Sequence, residues 1–414
     1  MLALLSARRF GPLFVTQFLG AFNDNLFKTA FIFFVAFHLR ADDPVGAATL
    51  ATVATGVFIL PFLLFSGLSG AISDARDKAV IARWVKVAEI AFMALGTLAL
   101  ALESEPLALV VIFLMGVHST VFGPVKYAIL PQHLGPQELL LGTGLVEGAT
   151  FVAILLGQIA GGLLPPGWAG PAAIIVAIAG WLASRFIPTA PPDGDTRIDW
   201  NPISASRRAL GGALANSELR IATICISWFW ALGAVYTTQF VPLARNDLGG
   251  TEGVATLFLA AFSVGVASGS AGVSRLLAGH ISTRLAPAAG LVMAAAGIDL
   301  YFAEQAFSAA APAGDVAAFL ARPAAWRVLA DLTVLAIAGG IFSVPLYGVL
   351  QTATDSGGRA RAIAANNIIN SAFQVGAVLA IGAAITRGTS IPAVLLGAGL
   401  TVLLLIPLLR KLPR

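Results

Sequence analysis

Long apolar runs occupy most of the sequence, and they constrain the fold more than any other feature. The first extends from Phe10 to Leu39 and exceeds the roughly 20 residues that a helix needs to cross a bilayer. Because lipid offers no partner for backbone polar groups, such a chain is predicted to be an all-α membrane protein. We count twelve transmembrane helices, near residues 10–39, 48–72, 79–101, 106–130, 138–164, 168–188, 219–244, 252–279, 284–305, 328–351, 360–386 and 389–409.

Composition supports this assignment and excludes other classes. Hydrophobic residues make up 58% of the chain and charged residues 11%, whereas charged residues average about 25% in soluble domains. The net charge of +4 is therefore attributed to loops on one side of a membrane and predicts no nucleic-acid partner. The single cysteine, Cys225, excludes an intrachain disulfide. The first apolar run is too long for a signal-peptide core, which predicts that it is retained as a helix.

Lysine and arginine are distributed unevenly among the predicted loops. With the N-terminus inside, 19 of the 25 fall on the cytoplasmic side and 5 on the outer side, while Lys28 lies in the membrane. Positively charged loops face the cytoplasm in most membrane proteins. Both termini are therefore predicted to be cytoplasmic, in agreement with an even number of spans.

One long polar segment, residues 189–218, divides six spans from six. The predicted domains are an N-terminal six-helix bundle over 1–188, a cytoplasmic linker over 189–218 and a C-terminal six-helix bundle over 219–414. The halves repeat weakly, since Phe122-Gly-Pro-Val-Lys-Tyr-Ala-Ile-Leu in span 4 resembles Phe342-Ser-Val-Pro-Leu-Tyr-Gly-Val-Leu in span 10. Two six-helix pseudo-repeats of this kind are the layout of the major facilitator fold, with the substrate site between the halves.

Polar residues in the middle of span 1 form the first candidate site. Asp24 lies where an ionised carboxylate costs about 2.5–3.5 kcal/mol, so a functional role is favoured. Lys28 follows four residues later on the same helical face, and Asn25 adjoins the acid. We interpret all three as substrate-binding or gating residues. The alternative is an internal ion pair that only fixes helix packing.

Spans 4 and 5 carry a second pair of charges at comparable depth. Lys126 lies near the cytoplasmic end of span 4, and Glu147 lies about nine residues into span 5. We predict that they pair and take part in binding or gating. The alternative is that Lys126 extends to lipid phosphates as an anchor and that Glu147 only contributes to packing.

The second half of the chain is less charged in its spans. Span 7 carries no charge from Thr223 to Leu243. The main polar patch is in span 11, where Asn366 and Asn370 are further candidates for substrate contact. The predicted cavity is charged on its N-terminal side and mostly apolar on the other. This asymmetry suits an amphiphile better than a sugar, which needs hydrogen bonds on all sides.

The loop after span 2 reads Gly70-Ala-Ile-Ser-Asp-Ala-Arg-Asp-Lys78. It resembles the facilitator signature in which a glycine lets helices 2 and 11 approach and an aspartate anchors a cytoplasmic gate. By this resemblance Asp74 is a latch that helps to hold the outward-open state, capping the next helix or accepting hydrogen bonds from an arginine such as Arg83. The alternative is ordinary helix capping. The complete predicted gate is Gly70, Asp74, Arg76, Lys78 and Arg83.

Three strings carry a closer resemblance: Gln17-Phe-Leu-Gly-Ala-Phe-Asn-Asp-Asn25, Phe122 to Leu130, and Gly144-Leu-Val-Glu-Gly-Ala-Thr-Phe-Val-Ala-Ile-Leu-Leu-Gly157. The chain resembles the bacterial lysophospholipid transporter branch of the facilitators over essentially its whole length. The resemblance implies a protein of the inner membrane that flips lysophospholipids from the outer to the inner leaflet, by alternating access or lateral sliding. It also implies an acyltransferase–acyl-carrier-protein synthetase partner that reacylates the product, and it assigns binding and gating to Asp24, Lys126 and Glu147. Some relatives carry an arginine in span 7 that this chain lacks.

Two other functions fit the same residues. The first is a proton-coupled exporter of drugs or amphiphiles, with Asp24 or Glu147 as the proton carrier. The second is a scaffold that presents membrane lipid to an acyltransferase without transporting it. No catalytic constellation is found: the four histidines are scattered and no phosphate-binding loop is present. The sequence therefore predicts neither an enzyme nor a cofactor or metal.

Overall fold

The computed structural model describes residues 1–192, 197–308 and 312–412, and these are almost entirely helical. Apolar runs bounded by proline or by a capping side chain form the long helices, as at Ser104, which accepts a hydrogen bond from the Leu107 amide. Six precede the polar linker: α1 Gly11–Phe34, α2 Pro44–Ala75, α3 Lys78–Ala101, α4 Glu105–Ala128, α5 Pro136–Leu163 and α6 Pro166–Ser184.

Six long helices follow the linker. Asn216 caps the first of them by accepting hydrogen bonds from the amides of Glu218 and Leu219. They are α7 Ser217–Pro242, α8 Glu252–Leu276, α9 Ala286–Ser308, α10 Pro323–Thr352, α11 Arg359–Thr386 and α12 Ile391–Leu400, which a 3-10 turn over Thr401–Leu404 continues.

Eleven helices in the described part of the chain are long and apolar enough to cross a membrane. The twelfth long helix, α1, has 24 residues, or about 36 Å at 1.5 Å per residue. It is less apolar because the stretch from Asn23 to Lys28 interrupts it. The prediction of an all-α membrane protein is confirmed. Since the twelve helices alternate in direction, both chain ends lie on one side, called here the termini side; the opposite side is the far side.

Helices pack together within each set of six, and the two sets are joined chiefly at two places. α1 packs along α5 and α3 along α6, while α10 packs against α8 and α9. The two sets meet where α5 packs on α8 and where α2 packs on α11. At the first crossing the approach is so close that a Cβ at Gly144 would lie 2.0 Å from the Ser270 carbonyl oxygen.

The predicted linker contains a helix of its own, Pro202–Ala215, called here the linker helix. Its face of Ala205, Ala209 and Ala213 is buried. It packs on both α2 and α11, and a Cβ at Gly67 of α2 would lie 2.3 Å from the Ser206 Cα. The linker helix therefore spans the termini-side ends of two helices that belong to different halves. Residues 193–196 of the predicted linker, and Arg414 among the predicted cytoplasmic charges, lie outside the described residues.

Burial along α2 and α11 changes from one side of the bundle to the other. On the termini side, Ser73 of α2 and Ile363 of α11 are buried against neighbouring helices. Toward the far side, apolar side chains such as Val53 of α2 and Leu379 of α11 are exposed. The two helices are thus held together on the termini side, and their far-side halves present apolar surface.

Candidate functional site

A buried polar network joins α1, α3 and α4 near their midpoints. Ser119 donates a hydrogen bond to Asp24, and the Nδ1 atom of His118 lies 3.8 Å from the other Asp24 oxygen. On the opposite edge of the ring, Nε2 of His118 lies 3.3 Å from Glu89. Glu89 also pairs with Lys86 at 2.5 Å. We call Asp24, Lys86, Glu89 and His118 the buried charge cluster.

The ion pair between Asp24 and Lys28, which was the alternative interpretation of span 1, is not formed in the described structure. Asp24 instead faces α4, while the Lys28 ammonium lies over the Phe58 ring of α2, 5.1 Å from its centroid. Four-residue spacing places two side chains on one helix face, but the neighbouring helices decide which way each one points. Lys28 remains close enough to interact electrostatically with Asp24.

Lys126 and Glu147 lie close together without the direct pair that was expected. The Lys126 ammonium is 5.0 Å from the centroid of the Tyr127 ring, and within the described residues it has no carboxylate inside 4 Å. Glu147 is fully buried and accepts a hydrogen bond from the Tyr127 hydroxyl. Lys126 interacts electrostatically with both Glu147 and Asp24. The lysine therefore keeps its hydrogen-bond donors available although two carboxylates lie within electrostatic reach.

An aromatic layer continues from this point into the second half of the chain. The rings of Tyr127 and Tyr347 stack with centroids 4.6 Å apart, joining α4 to α10. Trp230 of α7 donates a hydrogen bond of 2.7 Å to the Tyr347 hydroxyl and stacks on Phe151 of α5, at 5.3 Å between centroids. The stacked rings separate the charges of the first half from the uncharged side chains of the second.

The predicted amide residues lie in two different environments. Asn370 accepts a hydrogen bond of 2.6 Å from Ser227, which ties α11 to α7, and Asn366 is fully buried near Tyr347. Asn25 donates to the Ala21 carbonyl at 2.8 Å and packs against α5, where a Cβ at Gly157 would lie 3.0 Å from the Asn25 Cβ. The asparagines of α11 thus line the uncharged side of the interface, whereas Asn25 lies between α1 and α5.

Asp74 joins the two halves on the termini side. Its carboxylate accepts hydrogen bonds from the amides of Ala360 and Arg361, at 2.9 and 3.2 Å, and from the Arg361 Nε atom at 3.0 Å. Gly70 lies one turn earlier, where a Cβ would be 2.6 Å from the Ala364 Cβ. Asp74 accepts hydrogen bonds from an arginine, as expected, but this arginine is Arg361 and not Arg83. The expected cap on the next helix is wrong, because Asp74 caps α11.

The other predicted gate residues are placed within the first half. Arg83 donates to the Ile187 carbonyl at 3.0 Å, and the Lys78 amide donates to the Ala190 carbonyl at 3.0 Å. Asp77 caps α3 through the Ala79 amide at 2.8 Å. Arg76 lies at the end of α2 and lines a surface groove with Asp77. In the described structure these residues shape the α2–α3 turn and its contacts with the segment after α6.

Lys86 and His118 of the buried charge cluster were not predicted as site residues. Lys86 was counted among the cytoplasmic charges, but it is 1% exposed and paired with Glu89. Removing it leaves 18 cytoplasmic charges against 5, so the topology prediction is unchanged. His118 was set aside as one of four scattered histidines. A usable signal was depth, since Asp24, Glu89 and His118 each lie 11 to 13 residues from the start of their helix.

Comparisons with known proteins agree with this architecture. Residues 13–372 match the family model of the Major Facilitator Superfamily. The chain is 27% identical over 364 residues to the lysophospholipid transporter LplT of Serratia proteamaculans (strain 568), covering 85% of this chain and 82% of that protein. It is 29% identical over 372 residues to LplT of Salmonella heidelberg (strain SL476), covering 86% and 82%. The resemblance to this branch inferred from the sequence is confirmed.

The fold is also similar to that of solved transporters. The crystal structure of the human organic anion transporter MFSD10 (TETRAN) superimposes with a TM-score of 0.80 at 15% identity, covering 97% of this chain and 99% of that one. At this sequence identity the match shows only that the folds are similar. It covers the helices of both halves, and the family match begins in α1 and ends in α11. The chain therefore belongs to the Major Facilitator Superfamily, and it is a multi-pass membrane transporter.

Proposed function

We propose that this transporter moves lysophospholipids from the outer to the inner leaflet of the bacterial cytoplasmic membrane, where an acyltransferase restores the missing chain. One observation carries the proposal: Lys28 and Lys126 flank the buried Asp24, and in the described structure neither has a carboxylate within 4 Å. Both ammonium groups lie instead over aromatic rings. Such cations are suited to bind a phosphodiester, while Asp24 suits the amine of a zwitterionic headgroup.

The chemistry of the opposite wall supports an amphiphilic substrate. Trp230, Tyr347 and Asn370 supply aromatic surface and neutral hydrogen-bonding groups. Among the described residues, their side-chain hydrogen bonds and ring contacts involve no charged side chain. A sugar requires polar partners around its whole perimeter, whereas a lysophospholipid requires them at one end. The exposed apolar side chains on the far-side halves of α2 and α11, such as Val53 and Leu379, suit an acyl chain that stays in contact with the bilayer.

The proposed orientation follows from the charges of the loops, which place the termini side in the cytoplasm. The substrate would then enter on the far side, where α2 and α11 expose apolar surface, and leave when the Asp74–Arg361 contact opens. We include both alternating access and sliding of the acyl chain between helices in this proposal. The division into two six-helix halves joined by residues 189–218 is part of the same proposal.

The proton-coupled exporter remains the second candidate. It is favoured by the buried carboxylates Asp24 and Glu147, since acids at this depth carry protons in many pumps and transporters. A cationic drug would need the carboxylates but would be repelled by Lys28 and Lys126. The lysophospholipid transporter and the exporter therefore differ in how their transport rates respond to removal of the two lysines. A scaffold without transport activity would leave lysophospholipid flipping in liposomes unchanged by the protein.

The test is flipping of a labelled lysophospholipid in liposomes that contain the purified protein. Lys28→Gln with Lys126→Gln is expected to lower the rate at least about tenfold, since a hydrogen bond to a charged group contributes about 1.5–3 kcal/mol. Arg387→Gln, which removes an exposed cation from the far-side loop, is the matched control and is expected to be unaffected. Unchanged lysophospholipid flipping by the double variant, together with transport of a cationic drug, would favour the exporter.

A further inference from the structure

His118 occupies a position that the proposed headgroup site does not use. Its ring lies between carboxylates of two other helices, with Nδ1 3.8 Å from Asp24 of α1 and Nε2 3.3 Å from Glu89 of α3. The side chain is 4% exposed. It is the one residue of the buried charge cluster that contacts both acids, so the state of its ring decides how they are held.

The hydrogen-bond partners of the ring determine where its protons lie. Nδ1 is 2.8 Å from the Met115 carbonyl oxygen, which only accepts, so Nδ1 carries a hydrogen. Nε2 faces a Glu89 oxygen at 3.3 Å, and two acceptor atoms at this distance require a proton between them. The His118–Glu89 pair therefore holds one proton more than a neutral imidazole and an ionised glutamate would hold.

The contacts of Glu89 assign that proton to the histidine. Lys86 donates to Oε2 at 2.5 Å, and Asn23 donates to Oε1 at 2.8 Å, so both oxygens act as acceptors, as in an ionised carboxylate. With His118 as an imidazolium, the buried charge cluster has two positive and two negative groups and is neutral. Without the proton these four residues together carry a net negative charge away from water, which is unfavourable.

We propose that His118 is a proton-binding positioning residue, whose imidazolium holds Asp24 of α1 on the Glu89–Lys86 pair of α3. The proton is a fixed component of the site, and it keeps Asp24 in the position from which it can bind a headgroup. The proposal rests on the proposed function only for the transport measurement below. Besides the cluster itself, the charged groups that face this region are Lys28 and Lys126, which interact with Asp24, and Arg76 and Asp77, which line a groove of about 630 Å³ together with His118.

The proposal predicts how the protein responds to alkaline pH. When the ring loses its proton, Asp24 and Glu89 face a neutral imidazole. The attraction that the imidazolium exerts on both carboxylates is then lost, and Asp24 is held less firmly in place. Activity of the unmodified protein should therefore fall at least about tenfold when the pH is raised from about 7 until the ring loses its proton, with the same pH on both sides of the membrane. His118→Gln should have low activity with no such decline, because an amide does not take up a proton in this range.

The first measurement needs no substrate. Nitrogen-15 NMR of histidine-labelled protein is expected to show an imidazolium signal at about pH 7 that disappears in His118→Gln and that shifts to the neutral form at alkaline pH. His133→Gln is the matched control, since that histidine contacts the Thr189 carbonyl on the termini side at 3.2 Å and is remote from the cluster. His118→Lys restores a fixed cation at this position, and it is expected to recover activity without the alkaline decline. Because it also removes the imidazole, it assigns the NMR signal if the glutamine variant does not fold.

A neutral His118 ring at about pH 7 would overturn the proposal. So would a His118→Gln variant with the rate and pH profile of the unmodified protein. An imidazolium signal in a protein that does not flip lysophospholipids would leave the proton site standing and reject the proposed substrate. Flipping of lysophospholipids without the imidazolium signal would reject the proton site and support the proposed substrate. The two proposals therefore fail separately.

Discussion

Asp74 and Arg361 lie 287 positions apart in the chain and are joined by a side-chain contact of 3.0 Å between the carboxylate and Nε. The same carboxylate accepts hydrogen bonds from the amides of Ala360 and Arg361, which are free at the N-terminus of α11. A negative charge is also stabilised there by the helix dipole. One buried side chain of α2 thus binds α11 in three ways, and separation of the two helices would break all three contacts together.

The first prediction concerns this contact. Asp74→Asn keeps the shape of the side chain but removes its charge, which weakens hydrogen bonds worth about 1.5–3 kcal/mol. We expect the population closed on the termini side to fall about tenfold or more. In a Cys225→Ser background, labelling from the far side of a cysteine introduced at Phe373, an exposed position of α11, should decrease accordingly.

The control for this variant is Asp77→Asn. Asp77 caps α3 and contacts the Ala190 amide at 3.1 Å, so its contacts stay within the first half of the chain. It should leave the labelling of the Phe373 position unchanged. Equal labelling in Asp74→Asn and in the unmodified protein would mean that Asp74 only caps a helix.

The second prediction concerns Gly70, the residue at the closest point between α2 and α11. Gly70→Ala would place a methyl group 2.6 Å from the Ala364 Cβ, which is closer than real Cβ atoms approach and forces the helices apart. We expect slower flipping and reduced far-side labelling at unchanged membrane expression. Gly56→Ala in the same helix has nothing within 4 Å of the new Cβ and should behave like the unmodified protein. Identical behaviour of both variants would show that this approach is not required.

The helices could be predicted from the sequence because apolar length is a local property. The span predicted over 219–244 is α7 at Ser217–Pro242, and the one over 79–101 is α3 at Lys78–Ala101. The polar stretch around Asp24 was also found, because a carboxylate at mid-span is unusual wherever it occurs. Properties that depend on one segment at a time were therefore accessible.

The partners of these residues were not accessible, since they depend on which helices pack together. Arg361 is remote from Asp74 in sequence. The facilitator signature around Asp74 indicates that helix 11 lies nearby, but it does not indicate which residue of that helix Asp74 contacts. Lys86 looked like a loop cation because a single sequence does not tell whether a lysine eight residues into a helix extends to water or pairs internally. The contacts of His118 with two carboxylates could not be predicted, because they depend on the packing of α1 and α3 on either side of it.

The third prediction concerns the energy source. Downhill movement of a lysophospholipid whose product is consumed by acylation needs no coupled ion, and the proton proposed at His118 stays bound during transport. We expect flipping in sealed vesicles to persist when an uncoupler collapses the proton gradient at constant pH, with the acyltransferase present. Complete loss of flipping under these conditions would contradict this and favour the proton-coupled exporter.

The fourth prediction separates two roles of Asp24. If Asp24 served only as the packing partner of Lys28, removing both charges together would restore function, because the cost of breaking a buried pair is the charge left without a partner. The contacts speak against this, since Asp24 accepts from Ser119 and faces His118, while Lys28 lies over Phe58. Asp24→Asn with Lys28→Gln should therefore stay inactive although the protein remains folded.

The measurement is lysophospholipid uptake by the single and double variants at matched membrane expression. Asp24 lies 13 residues from the start of α1, or about 20 Å along the helix, close to the membrane centre where facilitator sites form between the halves. Loss of this carboxylate at that depth leaves His118 facing a neutral amide, a change that removal of the Lys28 charge does not compensate. Uptake at the unmodified rate by the double variant would make the pair structural, and the headgroup site would then have to be sought around Lys126 and Glu147.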